Sequence, residues 1–280
     1  MAGEIIRAVV GAGAARVVAA VTTAAVAEAA RRHRTAGVAT VALGRAATAG
    51  LLLATLTKGE EGVTVQLLGD GPLGTVTVDA GSTGRVRGYV ARPEVAAGTV
   101  AAAVGHGLVS VIRDLGLRDR YSGSAAIVSG EIDEDLESYL TASEQVESAL
   151  GCAVVLDGGA VAAAGGVLVQ ALPGGDGAAL VAAARRRLRA GTLDAALAAG
   201  TALALAAAAL AGLDGVEVLS AGPVGFHCPC SRERVVGALV LCGPAEIAAM
   251  LRDDGGAEVR CNFCNERYAV GREELERLLS

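Results

Sequence analysis

Tryptophan is absent from this chain, and its 280 residues include only two phenylalanines and four tyrosines. Few side chains are left on which nucleotide bases could stack, which argues against single-stranded nucleic acid as a partner. Lysine is nearly absent as well: Lys58 stands alone, and arginine carries almost all the positive charge. The net charge is −6, and no segment is basic enough to neutralise a row of phosphates. No Gly-Lys-Ser/Thr loop or dinucleotide fingerprint is present, and no nucleophile stands beside a general base. These absences point to a protein that is not an enzyme and binds no nucleic acid.

The opening of the chain lacks the unbroken apolar run of a secretory signal, because Glu4, Arg7 and Arg16 interrupt it. One stretch, 195–213, is free of charge for nineteen residues and is long enough to span a bilayer. It is mostly alanine and has neither an aromatic belt nor a one-sided basic flank, so it reads as a soluble helical segment. The expectation is a cytosolic protein with no membrane partner. In that compartment clustered cysteines more often bind metal or do redox work than form permanent disulfides.

What the chain does contain is alanine, valine, leucine and glycine, arranged in distinct patterns. Residues 24–56 are rich in helix formers and free of proline, which predicts one or two packed helices. "VTVQLLGDGPLGTVTVDA" alternates apolar and polar residues on both sides of Gly69-Asp70-Gly71-Pro72, a β-hairpin signature. A phosphate cradle would need a helix after that loop; here a second strand follows. "RVRGYV", "LVSVIRDLG", "YSGSAAIVSGEI" and "GGVLVQALPG" read as further strands. "DEDLESYLTASEQ" places Ile132, Leu136, Tyr139 and Leu140 on one helical face. Asp133, Glu134, Asp135 and Glu137 fall largely on the other, the pattern of a solvated surface.

From 178 the character changes to an Ala/Leu-rich helical run broken at Gly191. Small side chains bury little area each, so this run is expected to dock weakly, as a connector. From 226 it changes again, and a small cysteine-bearing unit begins. The predicted architecture is α+β in three parts: 1–177, a large core with a mainly antiparallel sheet packed on helices; 178–225, a helical linker; 226–280, a small metal-binding domain.

That last part carries Cys228-Pro-Cys230, thirty intervening residues, and Cys261-Asn-Phe-Cys264. Two short cysteine pairs flanking one compact segment are the pattern of a four-thiolate zinc site. A unit this short has too small a core to be secure alone, so the metal contributes to folding. Between the pairs, "VVGALVL" suits a strand, "GPAEIAAMLRDDGG" a helix with Pro244 at its first position, and "AEVRC" a returning strand. Cys242 and Cys152 read as packed free thiols. His227 is a less favoured alternative ligand, and His33 and His106 have no visible partner. From spacing alone the zinc site suits static glue, a nucleic-acid ribbon or a redox switch. The acidic balance of 226–280 weakens the ribbon. The short spacing within each pair gives the switch some support, since either pair is close enough to close as an internal disulfide.

The tail "FHCPCSRERV … LCGPAEIAAMLRDDGGAEVRCNFCNERYAV" resembles the zinc domain of the redox-regulated chaperones of the heat-shock protein 33 family. "GDGPLG", "VRGYV", "YSGSAAIVSGEIDEDLESYLTASEQ" and "GGVLVQALPG" resemble that family's large N-terminal domain, in the same order. The resemblance implies a reduced, inactive state in which Cys228, Cys230, Cys261 and Cys264 hold one zinc ion. It further implies that oxidants convert the thiols to the disulfides Cys228–Cys230 and Cys261–Cys264, releasing zinc and unfolding the small domain. The exposed surface then holds unfolding client proteins without ATP, usually as a homodimer. The chain departs from the pattern in its extra thiol, Cys242, and in a linker unusually rich in alanine. The competing expectation is a binding or regulatory protein with a static zinc site.

Overall fold

Two apolar strands, β1 (Gly3–Val10) and β2 (Ala15–Val21), open the chain as a hairpin, with Ile5 opposite Ala20 and Val9 opposite Arg16. Their side chains alternate, as pleating requires, yet both faces are apolar: Ile5 and Val18 lie in one core, Ile6 and Val17 in another. Strands buried on both sides need cover on both sides, and the rest of the fold supplies it. The computed structural model describes residues 3–57, 62–114, 116 and 120–279. It divides into two units, Met1–His227 and Cys228–Ser280.

The first cover is helical. In α1 (Thr23–His33) and α2 (Val38–Ala54) alanine and leucine dominate, and α2 is buried on nearly every side. A helix apolar all round belongs at the centre of a domain. A methyl group added at Gly44 would come within 2.7 Å of both Val26 and Val154, so glycine lets α2 approach its neighbours closely.

Next come β3 (Gly62–Gly69), β4 (Val76–Gly81) and β5 (Arg85–Val90), an antiparallel meander. The alternation read from sequence holds, with Val65 opposite Val78 and Leu67 opposite Val76 across the Gly-Asp-Gly-Pro loop. A short helix, α3 (Val100–Val104), leads to the paired strands β6 (Gly107–Asp114) and β7 (Tyr121–Ile127). Helix α4 (Ile132–Ser143) precedes the hairpin of β8 (Ser148–Asp157) and β9 (Ala160–Ala171). The sheet is closed by β10 (Glu217–Phe226), which runs antiparallel to β1 and pairs in parallel with β5 at Gly225 and Phe226. The order is β7-β6-β3-β4-β5-β10-β1-β2-β9-β8, ten strands among the described residues.

Helix α4 buries Ile132, Leu136, Tyr139 and Leu140 as its periodicity predicts. Its acidic side is not a solvated face. Asp133, Asp135 and Glu137 are themselves buried, the first and last of them because arginines remote in sequence reach them. Arg45 of α2 pairs with Glu131 and Asp133, while Arg185 and Arg189 grip Glu137 at 2.6 and 3.1 Å. Burial alone would lower the Arg45 pKa, but the carboxylates of Asp133 and Glu131 hold it above its ordinary value. Asp135 accepts the backbone amides of Val128, Ser129 and Gly130, each at 2.9 Å. Negative charge in the first turn of a helix, here Asp133, Glu134 and Asp135, is also favoured by its dipole.

The Ala/Leu-rich segment forms α5 (Gly177–Arg189), α6 (Thr192–Leu197) and α7 (Ala202–Leu210). Residues 195–213 are therefore split, and no single described helix is long and apolar enough to cross a membrane. Expected to dock weakly, these helices instead pack on the sheet: Val181, Leu188, Leu197 and Leu205 join Val17 and Val167 in the second core. Alanine is what permits this, since Ala202, Ala206 and Ala209 reach zero exposure by bringing α7 backbone close to the strands.

In Cys228–Ser280 the elements are α8 (Arg232–Cys242), α9 (Pro244–Asp253), the antiparallel pair β11 (Gly256–Arg260) and β12 (Arg267–Gly271), and α10 (Arg272–Leu279). The α9 and β11 expectations hold, but "VVGALVL" is helical rather than a strand. Ser231 caps α8, its hydroxyl accepting the Arg234 amide at 3.3 Å, and Val235 and Leu239 at i, i+4 face a common core. Cap and packing together outweigh the strand preference of valine.

Candidate metal centre

Proline at 229 has a fixed φ and no amide hydrogen, so it stiffens the link between Cys228 and Cys230 just before the α8 cap. The second pair sits where β11 turns into β12. The Cys261 amide donates to Glu266 O at 2.9 Å, and the Asn265 amide donates back to Cys261 O at 2.8 Å. Asn265 takes a left-handed conformation, φ 63°, which asparagine tolerates better than most residues. This tight turn lifts Cys264 inward, where it is 2% exposed. Cys228, Cys230 and Cys261 are half-buried.

The fold brings all four predicted ligands together. Their sulfurs lie within 4.8 Å of one another. Contacts run from one pair to the other, Cys228 to Cys261 at 3.7 Å and Cys230 to Cys264 at 3.2 Å. A tetrahedral ion with zinc–sulfur bonds of about 2.3 Å would set its sulfurs about 3.8 Å apart, so the donor set and its spacing fit such an ion. Four sulfurs this close cannot all carry charge without a cation among them. Burial pushes the thiols of Cys230 and Cys264 above their ordinary values, which a bound cation would reverse.

The remaining candidates fall outside this cluster. Cys152 is buried in the sheet, and burial pushes its thiol well up, so it is inert packing as expected. Cys242 is exposed, a departure from the packed thiol expected: it ends α8, one turn beyond the last buried residue, Leu239. His227 does not join the four sulfurs; its backbone amide donates to Val86 O at 3.0 Å. One residue escaped the sequence reading. The Tyr268 hydroxyl donates to Cys230 Sγ at 3.1 Å. The only sequence signal for it was a hydroxyl-bearing aromatic on the strand just after the second pair.

The chain is similar to known proteins over nearly its whole length. The family model described as Hsp33 protein matches residues 3–271. The 33 kDa chaperonin of Halalkalibacterium halodurans is 42% identical over 260 residues, covering 90% of this chain and 89% of the relative. The 33 kDa chaperonin of Geobacillus kaustophilus is 40% identical over 275 residues, covering 95% and 94%. The crystal structure of the 33 kDa chaperonin from Thermotoga maritima superposes with a TM-score of 0.88 at 32% identity, over 100% of this chain and 98% of that one. The chain belongs to the Hsp33 family.

Proposed function

We propose that this protein is a redox-regulated, ATP-independent holdase chaperone of the cytosol, not an enzyme. It is silent when Cys228, Cys230, Cys261 and Cys264 hold one zinc ion and active when those cysteines are oxidised. The observation that carries the proposal is the four-sulfur cluster within 4.8 Å in a chain of this family. The names of the relatives support the chaperone part of it.

Zinc, held by these four cysteines, would offset half of the charge on their thiolates and keep them deprotonated. The rest follows from the chain itself. A thiolate of one pair attacks a peroxide oxygen; a sulfur–oxygen bond forms, the oxygen–oxygen bond breaks, and hydroxide leaves to take up a proton as water. The second thiolate of the pair attacks the resulting sulfenic sulfur, and the disulfide forms as the second water departs. Two electrons from two sulfurs thus reduce one peroxide to two waters. The products are the disulfides Cys228–Cys230 and Cys261–Cys264, which leave no thiolates to hold a metal. The C-terminal unit must then rely on its few buried apolar side chains.

Loss of that unit frees the chain just beyond β10, and α5 to α7 lie immediately before it. We propose that these helices loosen in turn, leaving open the sheet face of Ile6, Val17 and Val167 that they cover. Alanine limits the apolar area they bury, which favours release. Arg185 and Arg189 oppose it by tying α5 to Glu137 of α4. An exposed face of this kind would bind unfolding client proteins, with the active form a homodimer.

Light scattering from an aggregating client, with zinc release followed in parallel, tests this. Suppression by the peroxide-treated protein and none by the reduced, zinc-loaded protein is the expected result. Equal behaviour in both states, with zinc retained, would instead establish a static zinc-stabilised binding module.

A further inference from the structure

We propose that Tyr268 is a positioning residue of the thiolate centre: its hydroxyl, donating to Cys230 Sγ at 3.1 Å, slows both metal loss and oxidant attack. The inference rests on the metal-binding reading of the four cysteines.

The placement comes from the hairpin. Tyr268 lies on β12 opposite Val259 of β11 and packs, half-buried, against the apolar core of this unit. The ring therefore carries the hydroxyl from the strand that follows Cys261 and Cys264 across to a sulfur of the other pair. Cys230 precedes Tyr268 by 38 residues, so the contact exists only in the folded unit. It ties the two halves of the site together by a bond that needs no metal.

The chemistry follows from where the proton sits. A sulfur bound to a metal retains lone-pair density, and a hydroxyl hydrogen directed at it withdraws part of that density. Attack on a peroxide requires the same lone pair, because a new sulfur–oxygen bond forms as the oxygen–oxygen bond breaks. A donor on Cys230 therefore weakens its nucleophilicity and steadies it as a ligand. Groups that hydrogen-bond to metal ligands alter affinity by about 10- to 100-fold when removed.

The test compares full-length wild type with Tyr268→Phe, which keeps the ring and removes the donor. Zinc affinity, measured against a chromophoric chelator, is expected to fall about 10- to 100-fold. Zinc release on peroxide addition is expected to speed up several-fold. With cobalt in place of zinc, the sulfur-to-metal charge-transfer band should move to lower energy while the ligand-field bands keep their tetrahedral pattern. A role in packing alone would leave that band in place. Should the Phe variant fold poorly by circular dichroism, 3-fluorotyrosine at 268, a stronger donor on an intact ring, should shift the band the opposite way and slow release. A wild-type chain that holds no metal would overturn the metal reading together with this proposal. Metal-loaded wild type and variants with identical bands and release rates would overturn this proposal alone.

Discussion

In Met1–His227 the buried apolar side chains form two extended clusters, one on each face of the ten-stranded sheet. In Cys228–Ser280 the buried cluster among the described residues is Val235, Leu239, Ile247, Leu251, Val270 and Leu275. The first unit can fold on burial alone, since apolar area scales with its size. The second is of the length at which domains usually need a staple, and the four cysteines stand where one would be. On the proposed reading, one chain combines a sheet that needs no staple with an appendage whose folding would depend on its thiols. The contrast suits the proposed switch, because oxidation would remove the staple of one unit and no support of the other.

Metal removal should break the contrast most visibly. Structural zinc contributes about 10–16 kcal/mol in small zinc-finger peptides, more than a core of six side chains can replace. Chelation, or Cys261→Ala, is expected to abolish amide protection throughout α8 to α10 while β3, β4 and β6 stay protected. Hydrogen exchange read by mass spectrometry checks this. A tail that remains folded and zinc-loaded in Cys261→Ala would refute the staple.

The converse experiment perturbs the first unit and leaves the second intact. Arg45→Ala takes from the carboxylate of Asp133, which is 5% exposed, its closest ion-pair partner and leaves it the Cys152 amide at 3.2 Å and Arg189 at 4.0 Å. Removing one member of a buried pair typically costs about 3–5 kcal/mol. The unfolding midpoint of the sheet domain should fall accordingly, with zinc stoichiometry unchanged. A loss below about 1 kcal/mol, typical of surface pairs, would show that solvent reaches the pair.

The same contrast governs what was legible in the sequence. Features set by neighbouring residues were readable: the β3–β4 hairpin from its alternation and Gly-Asp-Gly-Pro loop, and α9 from Pro244 and its glycine stop. The metal cluster was readable because two short cysteine pairs admit few other arrangements. What escaped depended on distant partners. The acids of α4 looked solvated until Arg45, Arg185 and Arg189 arrived from elsewhere. The role of β10 in closing the sheet has no local signature, because Phe226 meets Val86 only in the fold. The helical state of α8 was hidden behind valines whose strand preference yields to a serine cap and one buried edge. The Tyr268 bond to Cys230 was illegible for the same reason, as it spans the unit.

The smallest effect is expected at Cys242, and it sharpens the comparison within the second unit. Four of its five cysteines converge, while Cys242 ends α8 in an exposed position, its thiol contacting only the carbonyl of Ala238, at 3.5 Å, among the bonds described for it. An exposed thiol outside the four-sulfur cluster lacks the confinement beside a second sulfur that speeds disulfide formation. Cys242→Ser should therefore leave zinc content, thermal midpoint and the rate of peroxide-driven zinc release at wild-type values. Mass mapping of the oxidised protein should find Cys242 still alkylatable after the other four thiols have been consumed. A slower release in the serine variant, or a Cys242 disulfide appearing before the two expected ones, would mean that the extra thiol takes part. The switch would then run on five sulfurs, and the spacing of the two pairs alone would no longer account for its specificity.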